Sequence, residues 1–167
     1  MRSETRAGLE TGFPTTGEIR SVVILAAFSD VGFTVPDPQR AFERMLNEEG
    51  YSDNGALGSA RDYYLDNSGG RFRPTFDVVG PVTLDHPVAY YGANTDYRDE
   101  NAERMIIEAC HKAERAGVDF SQYDFDNDGK IDNVFVYYAG HNESDGGGMN
   151  TVWPHRGEIS YPGEMLG

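Results

Sequence analysis

The sequence predicts an α/β domain of mixed α+β type, with a twisted mixed β-sheet and about three helices. Three segments lead to this fold class. Residues 21–28 form a continuous apolar run rich in β-branched side chains, typical of a central strand buried on both faces. Residues 133–139 form a second apolar run. Between them, residues 97–116 repeat apolar side chains at the spacing of an amphipathic helix.

The first strand, 21–28, is followed by polar residues and then by a helix. Asp37 is a favourable N-cap, and Pro38 suits the first helical position because it has no amide hydrogen to satisfy. Gly50 is expected to end this helix. One apolar stripe lies along it and contains Ala41, Phe42, Met45 and Leu46.

A second, shorter helix and several extended segments follow. Ser59 can cap a helix that runs through Leu65 and is broken by the polar, glycine-rich residues 67–70. Residues 71–79 alternate partly and predict a half-buried or edge strand, since Pro74 cannot donate a ladder hydrogen bond. Residues 81–84 and 88–91 are predicted to be short extended pieces.

The third helix, 97–116, has the strongest periodicity and ends at Gly117. After the strand 133–139, residues 140–148 form a polar loop, and residues 151–153 form a short apolar segment. The apolar stripe of the helix consists of Ala102, Met105, Ile106, Ala109, Cys110 and Ala113.

Composition limits the classes of function. The chain has 167 residues, enough for one domain with a core, and it carries a net charge of −14 from 28 acidic and 14 basic residues. This balance argues against nucleic acid and anionic membranes as partners, because both require a basic face. It permits divalent cations. No apolar run approaches the ~18–20 residues that a membrane span needs.

The first 17 residues are polar and rich in Gly, Thr and Glu. We interpret residues 1–17 as a flexible arm or an expression remnant, and residues 18–167 as the folded part of the chain. Residues 1–17 lack the apolar stretch of a signal peptide, so a leader is not expected within this chain.

A dense acidic loop lies directly before the strand 133–139. Its carboxylates stand at positions 1, 3, 5 and 9 of a calcium loop, with Gly129 at position 6, where the chain turns sharply. Lys130 stands at position 7, which provides its backbone carbonyl, whereas position 12 is Phe135 instead of a bidentate Glu. The sequence therefore predicts a calcium loop that leads into a strand. The four carboxylates belong to Asp124, Asp126, Asp128 and Asp132.

The alternative is a solvated turn without a cation. Carboxylates ~4 Å apart repel by about 1 kcal/mol in water and by ~4 kcal/mol at an effective dielectric constant of 20. A buried strand follows immediately, which disfavours full solvation. We therefore favour bound calcium, in a structural role.

Other candidate sites have weaker signals. No two of the four histidines lie four residues apart, and His-Glu-x-x-His is absent from this sequence. A zinc site from His141, Glu143 and His155 competes with the reading that both histidines only make loop hydrogen bonds. Cys110 lies on the apolar stripe of a helix, so we expect core packing there instead of a catalytic thiol. Residues 146–148 are all glycine and predict a flexible loop.

Four motifs in this order resemble one family. They are SxRDYYxxNSGGxF at 59–72, DFSxYDxDxDGxID at 119–132, YAGxxE at 138–143 and VWxHR at 152–156. They are similar to segments of the immune-inhibitor-A-like secreted metalloproteases, and the resemblance extends over about residues 20–157.

This resemblance implies that residues 18–167 are an incomplete metalloprotease-like domain, the N-terminal, sheet-bearing subdomain of a zincin-like catalytic domain. In that family a later helix carries His-Glu-x-x-His, whose histidines bind zinc while the glutamate activates water. The chain is thus expected to be the N-terminal portion of a calcium-stabilised zinc endopeptidase and to be inactive alone, with zinc bound only in the full-length protein. The implied partners are the remainder of the catalytic domain and a protein or peptide substrate. The implied location is secreted or on the surface of a bacterial cell.

The resemblance also places an edge strand and a loop of the substrate cleft within 140–156, where a peptide would align by strand addition. The cleft candidates are His141, Glu143, Trp153 and His155. The alternative function is a complete, non-catalytic, calcium-dependent binding or structural module.

Overall fold

The computed structural model describes residues 14–95, 98–157 and 159. Its main sheet has three strands, β1 (Gly17–Ala27), β2 (Phe72–Thr83) and β5 (Val134–Tyr138), in the order β2-β1-β5. Both pairings are parallel. A separate antiparallel pair joins β3 (Asn94–Thr95) to β4 (Arg98–Asp99). The helices are α1 (Pro38–Asn47), α2 (Ala60–Ser68), α3 (Val88–Gly92) and α4 (Ala102–Arg115).

The central strand β1 separates two apolar cores. Every residue from Val22 to Ala26 is fully buried, as expected for a parallel strand covered on both faces. Val22, Ile24 and Ala26 point into the larger core, where they meet the stripe of α4. Val23 and Leu25 point into the smaller core on the opposite face, together with residues of α1 and β2.

Side chains of α1 cover part of the outer edge of β2. The amide of Asn47 donates to the Phe76 carbonyl and accepts from the Phe76 N–H, each over 2.9 Å. The Gln39 amide donates to the Val78 carbonyl over 3.0 Å. These bonds satisfy backbone groups that an edge strand otherwise leaves unpaired.

The helix ends agree with the capping signals in the sequence. The Asp37 side chain accepts from the N–H of Arg40 at the start of α1. Ser59 and Asp62 form a reciprocal capping box at the start of α2. Gly69 ends α2 in the left-handed conformation, with φ +59°. One predicted boundary is wrong, since α1 ends at Asn47 and not at Gly50.

The α/β class is confirmed, whereas several element boundaries differ from the sequence-based expectation. Residues 71–79 and 81–84 were predicted as separate pieces, but they join in the long strand β2. The predicted extended segment 88–91 is the short helix α3. Its Tyr91 is fully buried, and the Tyr91 hydroxyl donates to Glu108 of α4 over 2.6 Å, so tertiary packing determines this helix.

The predicted helix 97–116 also begins later than expected. Its residues 98–99 form β4, and α4 starts at Ala102. Asn101 precedes the helix, and its side chain donates to the Tyr90 carbonyl over 2.8 Å. Tyr97 lies outside the described residues.

Two further expectations need correction. Within the described ranges, parallel and antiparallel pairings lie in two separate sheets instead of one mixed sheet, and the α-helices number four instead of about three. The expected flexible arm, 1–17, falls mostly outside the described residues, and Gly17 is already part of β1. No helix in the described part of the chain is both long and apolar enough to span a bilayer.

Candidate functional site

The acidic loop, residues 124–132, connects a short 3₁₀ helix to β5. This 3₁₀ helix covers Phe120–Tyr123, and both of these aromatic residues are buried in the larger core. The Asp119 side chain caps its start by accepting from the N–H of Ser121 over 3.1 Å. The loop therefore begins and ends on elements that the core holds in place.

Three carboxylates of the acidic loop converge. Asp124, Asp126 and Asp128 each offer one oxygen, and these oxygens all lie within 4.8 Å of one another. Asp124 is partly buried, while Asp126 and Asp128 are exposed. The structure thus brings together the residues at positions 1, 3 and 5 of the predicted calcium loop.

Backbone amides of the same loop hold the carboxylates in this orientation. The two oxygens of Asp124 accept from the N–H groups of Asp128 and Gly129, over 3.1 and 2.9 Å. Asp126 accepts from the Asp128 N–H over 3.1 Å. Asn127 and Gly129 adopt left-handed conformations, with φ of 58° and 83°, and these turns curl the chain around the carboxylates.

Asp132 has a different position from the other three. Its Oδ2 accepts from the N–H of Phe125 over 2.6 Å, and its own N–H donates to the Tyr123 carbonyl over 3.0 Å. Asp132 therefore closes the base of the loop and lies outside the group of three converging carboxylates. The Lys130 ammonium lies 3.2 Å from Asp128 Oδ2.

The donor set fits a hard cation. Three carboxylate oxygens on a flexible loop suit Ca²⁺, which takes about six to eight oxygen ligands. Among the described residues, no histidine or cysteine joins this group. The loop does not offer the nitrogen or sulfur donors typical of zinc sites, so we do not expect the zinc ion of a metalloprotease to bind at this loop.

A second polar region lies where the 140–156 loop packs on the β3–β4 pair. The Asn94 amide lies 3.1 and 2.9 Å from the two carboxylate oxygens of Glu143. The Glu143 N–H donates to the Val152 carbonyl over 3.2 Å, and the Tyr138 hydroxyl donates to the same carbonyl over 2.9 Å. These bonds fix both arms of the loop.

Asp99 holds the far arm of this loop. Its Oδ2 accepts from the N–H of Trp153 over 2.8 Å, while its Oδ1 is buried without a hydrogen-bond partner in the described ranges. Burial raises the pKa of Asp99, and the nearby Glu143 raises it further. The Trp153 N–H and His155 lower this pKa, but they do not cancel the effect of burial. Three of the four predicted cleft residues, Glu143, Trp153 and His155, therefore influence the pKa of Asp99.

The fourth cleft candidate, His141, lies apart, with Nδ1 3.6 Å from Asp145. The structure brings no zinc site together from His141, Glu143 and His155 within the described residues. The predicted edge strand is also wrong for the described residues 140–157, which form loop and a 3₁₀ helix at Glu143–Asp145. Trp153 remains half exposed, at 50%.

The sequence did not single out Asn94 and Asp99. Each bonds a residue about 50 positions away, and the strands that carry them have only two residues each. No local pattern marks such contacts, so they required the three-dimensional arrangement.

The raised pKa of Asp99 predicts a pH dependence of stability. A carboxyl whose pKa is higher in the folded state binds protons more readily there, so stability should rise as pH falls through the folded pKa, until the unfolded pKa is reached. Asp99→Asn should lack this contribution. In urea unfolding, we expect the difference in unfolding free energy, wild type minus variant, to increase as the pH is lowered from 7 to 4. A difference that stays constant over this range would contradict the raised pKa of Asp99.

Fold and site together define an α/β domain with a carboxylate-rich loop leading into a strand of its parallel sheet. Residues 37–165 match the model of a family described as immune inhibitor A peptidase M6, catalytic domain. The chain belongs to this peptidase M6 family, which confirms the resemblance seen in its motifs. It is therefore a member of a metalloprotease family.

Two similar proteins come from bacteria. The chain is 26% identical over 141 residues to the pre-pro-metalloprotease PrtV of Vibrio cholerae serotype O1, a match covering 72% of this chain and 15% of that protein. It is 27% identical over 139 residues to immune inhibitor A of Bacillus thuringiensis subsp. alesti, covering 69% of this chain and 20% of that protein. The matched region thus spans a fifth or less of these relatives' length.

Proposed function

We propose that this chain forms the sheet-bearing, N-terminal part of a secreted zinc endopeptidase, and that its acidic loop binds one structural Ca²⁺. The observation that carries the proposal is the convergence of Asp124, Asp126 and Asp128 in a chain of the peptidase M6 family. The backbone carbonyl of Lys130 and the carboxylate of Asp132 are the further proposed ligands. Lys130 would contribute no side-chain atom to the cation.

The proposed role of calcium is to join two elements that the core holds. The loop runs from the 3₁₀ helix Phe120–Tyr123 to β5, so a cation bound inside it restrains both ends. Calcium would also neutralise the mutual repulsion of the carboxylates. We assign it no catalytic step.

Peptide hydrolysis is proposed for the whole protein only. A zinc ion would supply the Lewis acid and an activated water there, but this sequence has no His-Glu-x-x-His to bind it. The chain's own contribution would be a wall of the substrate cleft, made by the 140–156 loop. There, Asn94 and Asp99 orient the loop, and the half-exposed Trp153 faces solvent.

The test compares two proteins with the same substrate. The full-length protein should cleave casein, lose this activity to a zinc chelator and regain it with zinc. The purified 167-residue chain should not cleave casein under any of these conditions. Chelator-sensitive cleavage by the isolated chain would contradict the proposal that zinc chemistry requires further residues.

A second candidate function is a non-catalytic, calcium-dependent binding or structural module. The convergence of Asp124, Asp126 and Asp128 supports this function as well, because such a module needs calcium and no zinc. If the full-length protein binds calcium but neither binds zinc nor cleaves casein, this second function replaces the first. The calcium site is common to both.

A further inference from the structure

Tyr123 stands directly before the first carboxylate of the acidic loop and is only 4% exposed. Its ring packs in the larger core near Phe120, with the ring centroids 6.4 Å apart. Its hydroxyl donates to Asp77 Oδ2 over 3.1 Å, so the residue is held at its polar tip as well as by its ring.

Asp77 belongs to β2 and is itself held by Arg20 of β1. Arg20 Nε donates to Asp77 Oδ2 over 2.9 Å, and Arg20 Nη1 donates to Gln122 Oε1 over 2.8 Å. The guanidinium also lies 5.8 Å from the centroid of the Tyr123 ring. We call these four residues, Arg20, Asp77, Gln122 and Tyr123, the sheet-to-loop network.

The main chain of Tyr123 connects this network to the loop itself. The Tyr123 carbonyl accepts from the N–H of Asp132, and Asp132 Oδ2 accepts from the N–H of Phe125. One residue therefore joins both ends of the acidic loop and is fixed, through its side chain, to two strands of the main sheet.

We propose that Tyr123 and Asp77 are positioning residues for the cation site, which hold the base of the acidic loop in the geometry that binds calcium. This inference rests on the proposed calcium binding. A loop whose ends are already fixed loses less conformational freedom when it closes on a cation, and binding is correspondingly tighter. Neither residue contacts the cation in this account.

The test uses Tyr123→Phe, because it removes one hydroxyl without changing charge or ring packing. Calcium affinity, measured by titration calorimetry, should weaken about fivefold, the equivalent of one net hydrogen bond. The double variant Tyr123→Phe with Asp77→Ala should weaken calcium binding by less than the sum of the two single effects, because each single change removes the same hydrogen bond. Matched controls are Tyr63→Phe and Asp66→Ala, at residues with no side-chain bond to the acidic loop.

A positioning role and a merely structural role give different results. A structural role would lower the melting temperature of Tyr123→Phe in chelator and leave its calcium dissociation constant unchanged, and that result would overturn the inference. If wild type binds calcium while the variant binds equally well, the inference alone fails. If wild type itself binds no calcium, the proposed function fails, and the inference fails with it. Weaker binding by the variant, with controls within twofold of wild type, supports the inference.

Discussion

Asp126→Ala is expected to abolish the calcium-dependent stabilisation of this chain. A ligand that binds only the folded state, present at 100 times its dissociation constant, stabilises by about 2.7 kcal/mol. Asp126 supplies one of the three converging oxygens, and without it the loop loses both a ligand and a negative charge. Thermal unfolding in calcium and in chelator should differ strongly for wild type and hardly at all for the variant.

The matched control is Asp66→Ala, which removes a carboxylate near the end of α2 and away from the acidic loop. It should keep the full response to calcium. In chelator, Asp126→Ala should unfold within about 0.5 kcal/mol of wild type, because the side chain is exposed. A variant that retains the calcium response would show that Asp126 is not a ligand.

Gly92→Ala should displace the far arm of the 140–156 loop. A Cβ at this position would lie 2.3 Å from the carbonyl carbon of Thr151 and 2.4 Å from the nitrogen of Val152. Both atoms belong to the backbone, so no side-chain rotation can relieve the contact. Overpacking costs about 1–3 kcal/mol, and the adjacent Trp153 N–H should separate from Asp99.

Trp153 is the only tryptophan in the sequence, so its fluorescence reports on this arm directly. In Gly92→Ala we expect emission shifted to longer wavelength and lower anisotropy, together with faster proteolysis of the loop. Gly32→Ala is the control, because a Cβ there has nothing within 4 Å and the residue has no left-handed conformation. An unchanged emission spectrum in Gly92→Ala would contradict the packing described here.

Long apolar patterns in the sequence predicted the parts of the fold that such patterns determine. β1 contains residues 21–27 of the strand predicted over 21–28, and the periodic stripe of the third helix faces the core in α4. The helix α3 was missed because its five residues are held by contacts such as the bond from Tyr91 to Glu108. Short elements like this one depend on tertiary packing more than on local sequence.

The acidic loop shows what residue spacing can predict about a site. Alternation of carboxylates predicted that Asp124, Asp126 and Asp128 converge, and the structure places their oxygens close together. Spacing could not distinguish Asp132, whose carboxylate closes the loop base on Phe125. Nor could it reveal the bond from Tyr123 to Asp77, because that bond joins residues 46 positions apart.

We propose that the acidic loop of this peptidase M6 domain binds calcium. The most direct test is calorimetric titration of the wild-type chain with Ca²⁺ and, separately, with Mg²⁺. We predict saturable binding of one Ca²⁺ per chain and much weaker binding of Mg²⁺, which demands stricter octahedral geometry and dehydrates reluctantly. No binding of Ca²⁺ at millimolar concentration, together with a melting temperature indifferent to chelator, would contradict the claim.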